Sequence, residues 1–350
     1  MSFSIGIVGL PNVGKSTLFK ALTKRQVDAS NFPFCTIDPN VGNVAVPDDR
    51  LQKLTDVYQS KKVVSTIVEF VDIAGLVKDA HKGEGLGNAF LSHIRSVDAI
   101  CQVVRKFSDP NVVHVAGAVN PSEDQQTINL ELTFADLALI EKRRADVEAK
   151  ARSGDAESAV QLKIFQKARA ALDAGTLLSR ITWTEDEGAL LRPMQLLTMK
   201  PMLYVLNVDE GEATKETSGY LPISAKIEAE LSEMPPEEAQ EYLISMGLSS
   251  TGLDRLIVAS YKLLGLITFF TAGPKEAHAW TLKNGATAPE AAGVVHSDFQ
   301  KGFIRAEIAR WQDIVELGGE TGAKAKGKVR TEGKDYIMQD GDVAYFLASA

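Results

Sequence analysis

The chain has 350 residues, 45% of them hydrophobic and 24% charged, with a formal net charge of −8. That length allows two or three globular domains, and the acidic balance excludes a uniformly basic nucleic-acid coat while leaving local basic patches open. The two cysteines, Cys35 and Cys101, make no disulfide or metal pattern and fit a reduced, cytoplasmic setting. The chain enters its first strand with no signal-peptide features. Its longest strongly apolar stretch, 263–270, is too short to span a bilayer, so no membrane partner is expected.

The first element is an apolar run, Ile5-Gly6-Ile7-Val8, followed by Gly9-Leu10-Pro11-Asn12-Val13-Gly14-Lys15-Ser16-Thr17 and then the helical pattern Leu18-Phe19-Lys20-Ala21-Leu22. Strand, glycine-rich loop and helix in this order fit G-x-x-x-x-G-K-[ST], the phosphate-binding P-loop. Gly9 and Gly14 allow backbone angles that a Cβ would block. The N–H groups from Asn12 to Thr17 can then turn inward around phosphate oxygens at a helix N-terminus. Lys15 would reach the β- and γ-phosphates, and the Ser16 hydroxyl would ligate Mg²⁺.

After the first helix, residues 31–40 hold two prolines and polar residues and read as a loop. Thr36 is the threonine in this loop whose hydroxyl could reach Mg²⁺ when a triphosphate is bound. A strand over Val41–Val46 and a short helix over Arg50–Tyr58 follow. The β-branched run Val63–Val71 ends in Asp72-Ile73-Ala74-Gly75, a strand closing on D-x-x-G. Downstream of a P-loop this is the second half of a nucleoside triphosphatase site, with Asp72 holding Mg²⁺ and the Gly75 N–H meeting the γ-phosphate. Where many GTPases carry a water-orienting glutamine after D-x-x-G, this chain has Leu76. Glycine-rich 82–88, a helix over Ala89–Ser96 and a strand over Asp98–Val104 complete the alternation of a doubly wound α/β sheet.

From Glu123 to about Arg180 the strand signal stops. Thr133, Leu137, Ile140 and Val147 keep heptad-like spacing, with Arg144 breaking the stripe, and Leu162, Phe165, Ala168 and Leu172 repeat three or four apart beyond a turn at 153–155. This predicts an antiparallel, coiled-coil-like helical hairpin inserted into the nucleotide domain. Its charged face reads as a solvated one, or as a surface for a large partner. The α/β pattern resumes at Pro201–Leu206, and helices follow over Pro236–Met246 and Gly252–Leu264. The last part has strand-like runs at Ile267–Thr271, Ala277–Leu282, Phe303–Ala309 and Val343–Leu347 and a helix over Ala288–Val295, an order that suits a small α+β, β-grasp-like domain. Lys324, Lys326, Lys328, Arg330 and Lys334 form a local basic cluster, read either as a solvated loop or as an RNA phosphate contact.

The strand over 203–206 ends in Asn207-Val208-Asp209-Glu210, where a guanine-specific site carries N-K-x-D. Val208 cannot lay a lysine stem along the base, and Glu210 is one methylene longer than aspartate, which argues against strict GTP specificity. Ser224-Ala225-Lys226 matches the guanine-side S-A-K loop and keeps dual specificity open. The base pocket is therefore expected from Asn207, Val208, Glu210, Ser224 and Ala225. A GTPase, a P-loop kinase and a scaffold that nucleotide merely stabilises are the alternatives to an ATP-hydrolysing switch.

As a set, the segments 9–17, 31–37, 72–77, 82–88 and 207–210 resemble the YchF/Obg-like ATPase family of P-loop proteins, and Thr271–Glu276, Asp298–Glu307 and Asp340–Val343 resemble a TGS domain. The resemblance covers essentially the whole chain. It implies a P-loop G domain over 1–122 and 199–266, a helical arm over 123–198 and a TGS domain over 267–350. It also implies ATP hydrolysis in preference to GTP, association with ribosomes and a link to stress responses. It places the chain with the triphosphatases that have a hydrophobic residue at the glutamine position. There the water-positioning group matches His114, whose other reading is a structural hydrogen bond. Asn12 lies where potassium-stimulated relatives hold K⁺; its other reading is a turn asparagine. A monomer that binds neither DNA nor membrane is expected.

Overall fold

The computed structural model describes residues 3–26, 38, 40–73, 87–115 and 117–349. Thr36, Gly75, Leu76 and Cys35 lie outside the described residues, as do most of the 31–40 and 76–88 loops. The elements run β1 (Ser4–Val8), α1 (Lys15–Thr23), β2 (Val41–Ala45), α2 (Asp49–Tyr58), β3 (Lys62–Val64), β4 (Ile67–Asp72), α3 (Asn88–Ser96) and β5 (Ala99–Arg105). Then come α4 (Pro121–Arg152), α5 (Ala156–Asp173), α6 (Glu185–Leu191), β6 (Met202–Asn207), β7 (Leu221–Ile223), α7 (Ala225–Leu231), α8 (Pro236–Ser245) and α9 (Gly252–Leu263). The chain ends with β8 (Leu266–Ala272), β9 (Glu276–Lys283), α10 (Ala288–Val295), α11 (Ser297–Lys301), β10 (Phe303–Arg310), α12 (Trp311–Glu316), α13 (Glu320–Ala325), β11 (Arg330–Glu332) and β12 (Asp342–Ala348). No helix among the described residues is long and apolar enough to cross a membrane.

Chain contacts divide the protein into two units, residues 3–42 with 69–253 and residues 43–68 with 254–350. The first sheet has the order β2-β4-β1-β5-β6-β7. β1 pairs in parallel with β4 and β5, β5 with β6, and β6 with β7. β5 is buried along its whole length, as a strand covered on both faces must be. Ile73, Ile94, Ile100, Ile128 and Leu132 pack one of its layers.

The predicted hairpin is α4 and α5. Asn120 accepts from Glu123 N and Pro121 occupies the first turn, which starts α4; Asp155 accepts from Ser158 N and starts α5. Ile140, Ile164, Phe165, Ala168 and Leu172 close the core between them. Arg144 leaves the stripe for ion pairs with Glu141 and Glu148 on its own helix, so part of the charged face is internally paired.

The second sheet has the order β11-β10-β12-β8-β9-β3. One face carries Ile267, Phe269, Ala306 and Phe346 under the α10 alanines; the other carries Phe270, Ala277, Ala279 and Val343 under Leu51 and Leu54 of α2 and Ile314 of α12. One expectation is corrected here. The single strand read over Val63–Val71 is two strands, with β3 pairing in parallel with β9 and β4 joining the first sheet. The β-branched run conceals the break at Ser65-Thr66, because both pieces share one local preference.

Candidate phosphate and metal site

The strand-to-helix loop has the geometry its glycines were read for. Gly9 and Gly14 have φ of 153° and 95°, and Asn12 is left-handed at 62°. A Cβ on Gly9 would collide with the Val103 carbonyl, and one on Gly14 with the Asn207 side chain. Val13 is buried, and Lys15 opens α1. The Lys15 ammonium donates to the Leu10 carbonyl at 2.7 Å, which curls the lysine back over its own loop. Burial pushes its pKa down to about 8, opposed by the nearby Asp72 carboxylate. Ser16 and Thr17 are exposed at the start of the same helix.

Asp72 ends β4 and is buried, and among the described residues its Oδ1 has no hydrogen-bond partner. A buried carboxylate oxygen without a donor is costly unless a cation or water meets it. No cluster of three His, Cys, Asp or Glu exists among the described residues, so a fully protein-built metal cage is not what this position offers. One carboxylate and one hydroxyl beside a phosphate loop is the sparse donor set that Mg²⁺ accepts.

Two of the base-side residues, Asn207 and Ala225, meet at the same loop. Asn207 Nδ2 donates to the Val13 carbonyl at 2.9 Å, and Asn207 Oδ1 accepts from Ala225 N at 3.0 Å. One buried amide thus ties β6, the P-loop and the start of α7 together. Ser224 is buried next to it. Glu210 is bound to Lys226 at 3.0 Å, so the two residues that pulled in opposite directions on base choice neutralise each other. Val208 is buried with Val104, Leu206 and Ala213, so its side chain belongs to the core. Asp209 is used by Ser108, whose N–H and hydroxyl both donate to it.

His114 is 7% exposed, with Nε2 2.9 Å from the Asp124 carboxylate in the first turn of α4. Asn12 Nδ2 donates to the Val113 carbonyl at 3.1 Å, so the segment before His114 is docked on the phosphate loop. Sequence reading missed Asp124, which looks like an ordinary first-turn helix acid, and Arg105, which looks like a strand-end cation. Burial distinguishes both, and one sequence does not display burial. In the C-terminal unit the basic cluster is largely paired. Lys324 bridges Glu307 and Glu320, Lys328 meets Asp313, and Arg330 meets Glu332.

Comparison with known proteins gives the family. A family model described as "50S ribosome-binding GTPase" matches residues 4–152. The YchF GTPase C-terminal model, described as a protein of unknown function (DUF933), matches 266–349. The chain is 51% identical to the ribosome-binding ATPase YchF of Bacillus subtilis, over 99% of both chains. It is 42% identical to the Obg-like ATPase 1 of Oryza sativa, over 98% of this chain and 91% of that one. The solved structure of the Schizosaccharomyces pombe YchF GTPase superposes with a TM-score of 0.89 at 36% identity, covering 99% of this chain and 98% of that one. With this similarity over essentially its whole length, and with the P-loop, Asp72 at the end of β4 and Asn207 at the end of β6 in place, the chain belongs to the YchF family of P-loop nucleoside triphosphatases.

Proposed function

We propose that this protein is a cytoplasmic, Mg²⁺-dependent ATPase switch that works on the ribosome. The observation that carries the chemistry is the buried Lys15 beside Asp72, whose Oδ1 lacks a partner among the described residues. The ribosome and the preference for ATP are supported by what the similar proteins are named, and the division of labour by sequence: 1–122 with 199–266 for nucleotide, 123–198 as an arm and 267–350 as a TGS domain.

Lys15 and the N–H groups of residues 12–17 would hold the phosphates by charge and orientation, the larger part of catalysis in phosphoryl transfer. Ser16 and Asp72 would hold Mg²⁺, with Thr36 joining them, and the ion would neutralise charge developing on the phosphate oxygens. Gly75 would offer its N–H to the terminal phosphate. Asn207, Ser224 and Ala225 would frame the base. Glu210, occupied by Lys226, has little to offer the donors of guanine, which favours adenine. His114, held at Nε2 by Asp124 in the first turn of α4, would orient water, the base-and-orienter arrangement. Asn12 spends Nδ2 on Val113 and leaves Oδ1 for K⁺; equal turnover in potassium and sodium buffers would remove that assignment.

The test is affinity for ATP and GTP with Mg²⁺ on one preparation, together with steady-state turnover of wild type and Lys15→Ala. Tighter ATP binding and turnover lost in the variant are expected. Equal or stronger GTP binding moves the protein to the dual-specificity reading. Binding without turnover makes it a nucleotide-stabilised scaffold.

A further inference from the structure

We propose that Arg105 is the positioning residue that fastens the 107–115 segment, and with it His114, to the phosphate loop. The assignment rests on the reading above, in which His114 orients water. Arg105 is the last residue of β5 and lies opposite Asn207 in the β5–β6 register. It is 2% exposed. Its Nε donates to the Phe107 carbonyl at 3.3 Å, Nη2 to the Asp109 carbonyl at 3.3 Å and Nη1 to the Asn12 carbonyl at 3.4 Å. Its guanidinium carbon lies 4.2 Å from the centre of the Phe107 ring.

Among the described residues all three acceptors are backbone carbonyls, and none is a carboxylate. A buried guanidinium without an ion pair is costly. A neutral side chain of similar size would suit a site that needed packing alone. What a neutral or point-charge side chain cannot do is donate at once to three carbonyls from two chain segments, and the fork of arginine does this. Asn12 is the residue shared by both links: its carbonyl accepts from Arg105, and its side chain donates to Val113 at 3.1 Å. The segment is therefore held at 113 by Asn12, and near 107–109 by Arg105 through its carbonyls and by Asp209 and the Asn207 carbonyl through its N–H groups. Between the two, Asp109 Oδ1 accepts from Asn111 N at 2.8 Å and tightens the turn. His114 comes next in the chain, already anchored to Asp124. The loop that carries Lys15 is thus tied to the segment that carries His114 through both Asn12 and Arg105.

Two readouts separate this from general support of the fold. Hydrogen exchange of the amides of 107–115 reports the fastening. ATP affinity and single-turnover hydrolysis, measured on wild type, Arg105→Gln, Arg105→Lys, His114→Ala and the Arg105→Gln/His114→Ala pair, report its consequence. In Arg105→Gln we expect faster exchange over 107–115 with α1 still protected, ATP affinity within about threefold, and a single-turnover rate lowered about 30-fold, the scale of a misplaced but intact group. Arg105→Lys should recover little of either, and the double variant should be no slower than His114→Ala alone. Unchanged exchange in both Arg105 variants overturns the fastening, as does a loss of ATP affinity matching the loss of rate. Normal turnover in His114→Ala with raised exchange in Arg105→Gln instead overturns the role of His114 and leaves the fastening in place.

Discussion

At the scale of single residues, the protein keeps a lysine where folding alone would not put one. Lys15 has its pKa pushed from 10.5 to about 8 by burial, a shift worth on the order of 3 kcal/mol. Between about pH 8 and 10.5 the unfolded chain holds a proton that the native one has released, so this penalty is present in full below about pH 8 and fades as pH rises through that window. Lys15→Met should therefore bind no ATP yet, without nucleotide at pH 7, be more stable than wild type by about 1–2 kcal/mol, once the lost attraction to Asp72 is deducted. Urea midpoints of both proteins at pH 7 and pH 10 check this: the gap should narrow at the higher pH, and a gap independent of pH would refute it. The same titration should weaken ATP binding in wild type above about pH 8, because a neutral amine gives the phosphates no charge. Asp72→Asn tests the other half of the pair. If Asp72 holds the proposed Mg²⁺, removing its charge should lower Mg²⁺-dependent turnover by about 100-fold, the usual scale for losing one preorganised electrostatic group, with no loss of folding stability. A variant that unfolds would show that Asp72 is held by the protein and not reserved for the ion.

At the scale of elements, one buried carboxylate fastens the helical hairpin to the sheet beneath it. Asp136 of α4 accepts from Leu197 N at 3.0 Å, Thr198 N at 2.7 Å and Thr198 Oγ1 at 2.7 Å, just ahead of β6. Asp136→Ala should cost about 2–4 kcal/mol, since two backbone donors lose their acceptor in the interior; a chemical-denaturation midpoint near that of wild type would contradict it. This contact also shows where sequence reading stops. The hairpin was legible because Leu137, Ile140, Phe165 and Leu172 repeat at helical spacing, and the P-loop because its glycines and lysine sit at fixed offsets. Asp136, Asp124 and Arg105 were not, because a charged residue on a helix or strand carries no mark of whether it faces water. The short helices α12 and α13 and the strand β11 went unread for another reason: six or fewer residues each, they are placed by packing against the sheet more than by their own periodicity. Of the residues expected around the base, Asn207 and Ala225 meet at the loop, whereas Val208, chosen for what it cannot do to guanine, turns its side chain into the core.

At the scale of the whole molecule, the boundary suggested by sequence similarity and the boundary drawn by packing differ. The C-terminal family match spans 266–349, yet the C-terminal unit includes 43–68 as well. Residues 43–68 bring two things that 266–350 cannot supply. α2 lays Leu51, Leu54 and Tyr58 over the face that carries Phe270, Ala277 and Ala279, and β3 pairs with β9, covering what would otherwise be a sheet edge. Arg50 adds ion pairs to Asp48 and Asp340, joining the two pieces of the unit. Each buried leucine contributes about 2 kcal/mol, so leaving out α2 and β3 removes a large part of the few kcal/mol that stabilise a domain of this size. A fragment of 266–350 alone should show poorly dispersed amide resonances and a tendency to aggregate through β9, whereas adding a peptide of residues 43–68 in trans should sharpen the spectrum and raise the melting temperature in proportion to peptide concentration. A fragment that folds fully without the peptide, and does not bind it, would show that the sheet is complete in 266–350. In that case the contacts of α2 and β3 would tether the N-terminal half to a finished domain, where the packing described here makes them part of that domain's core.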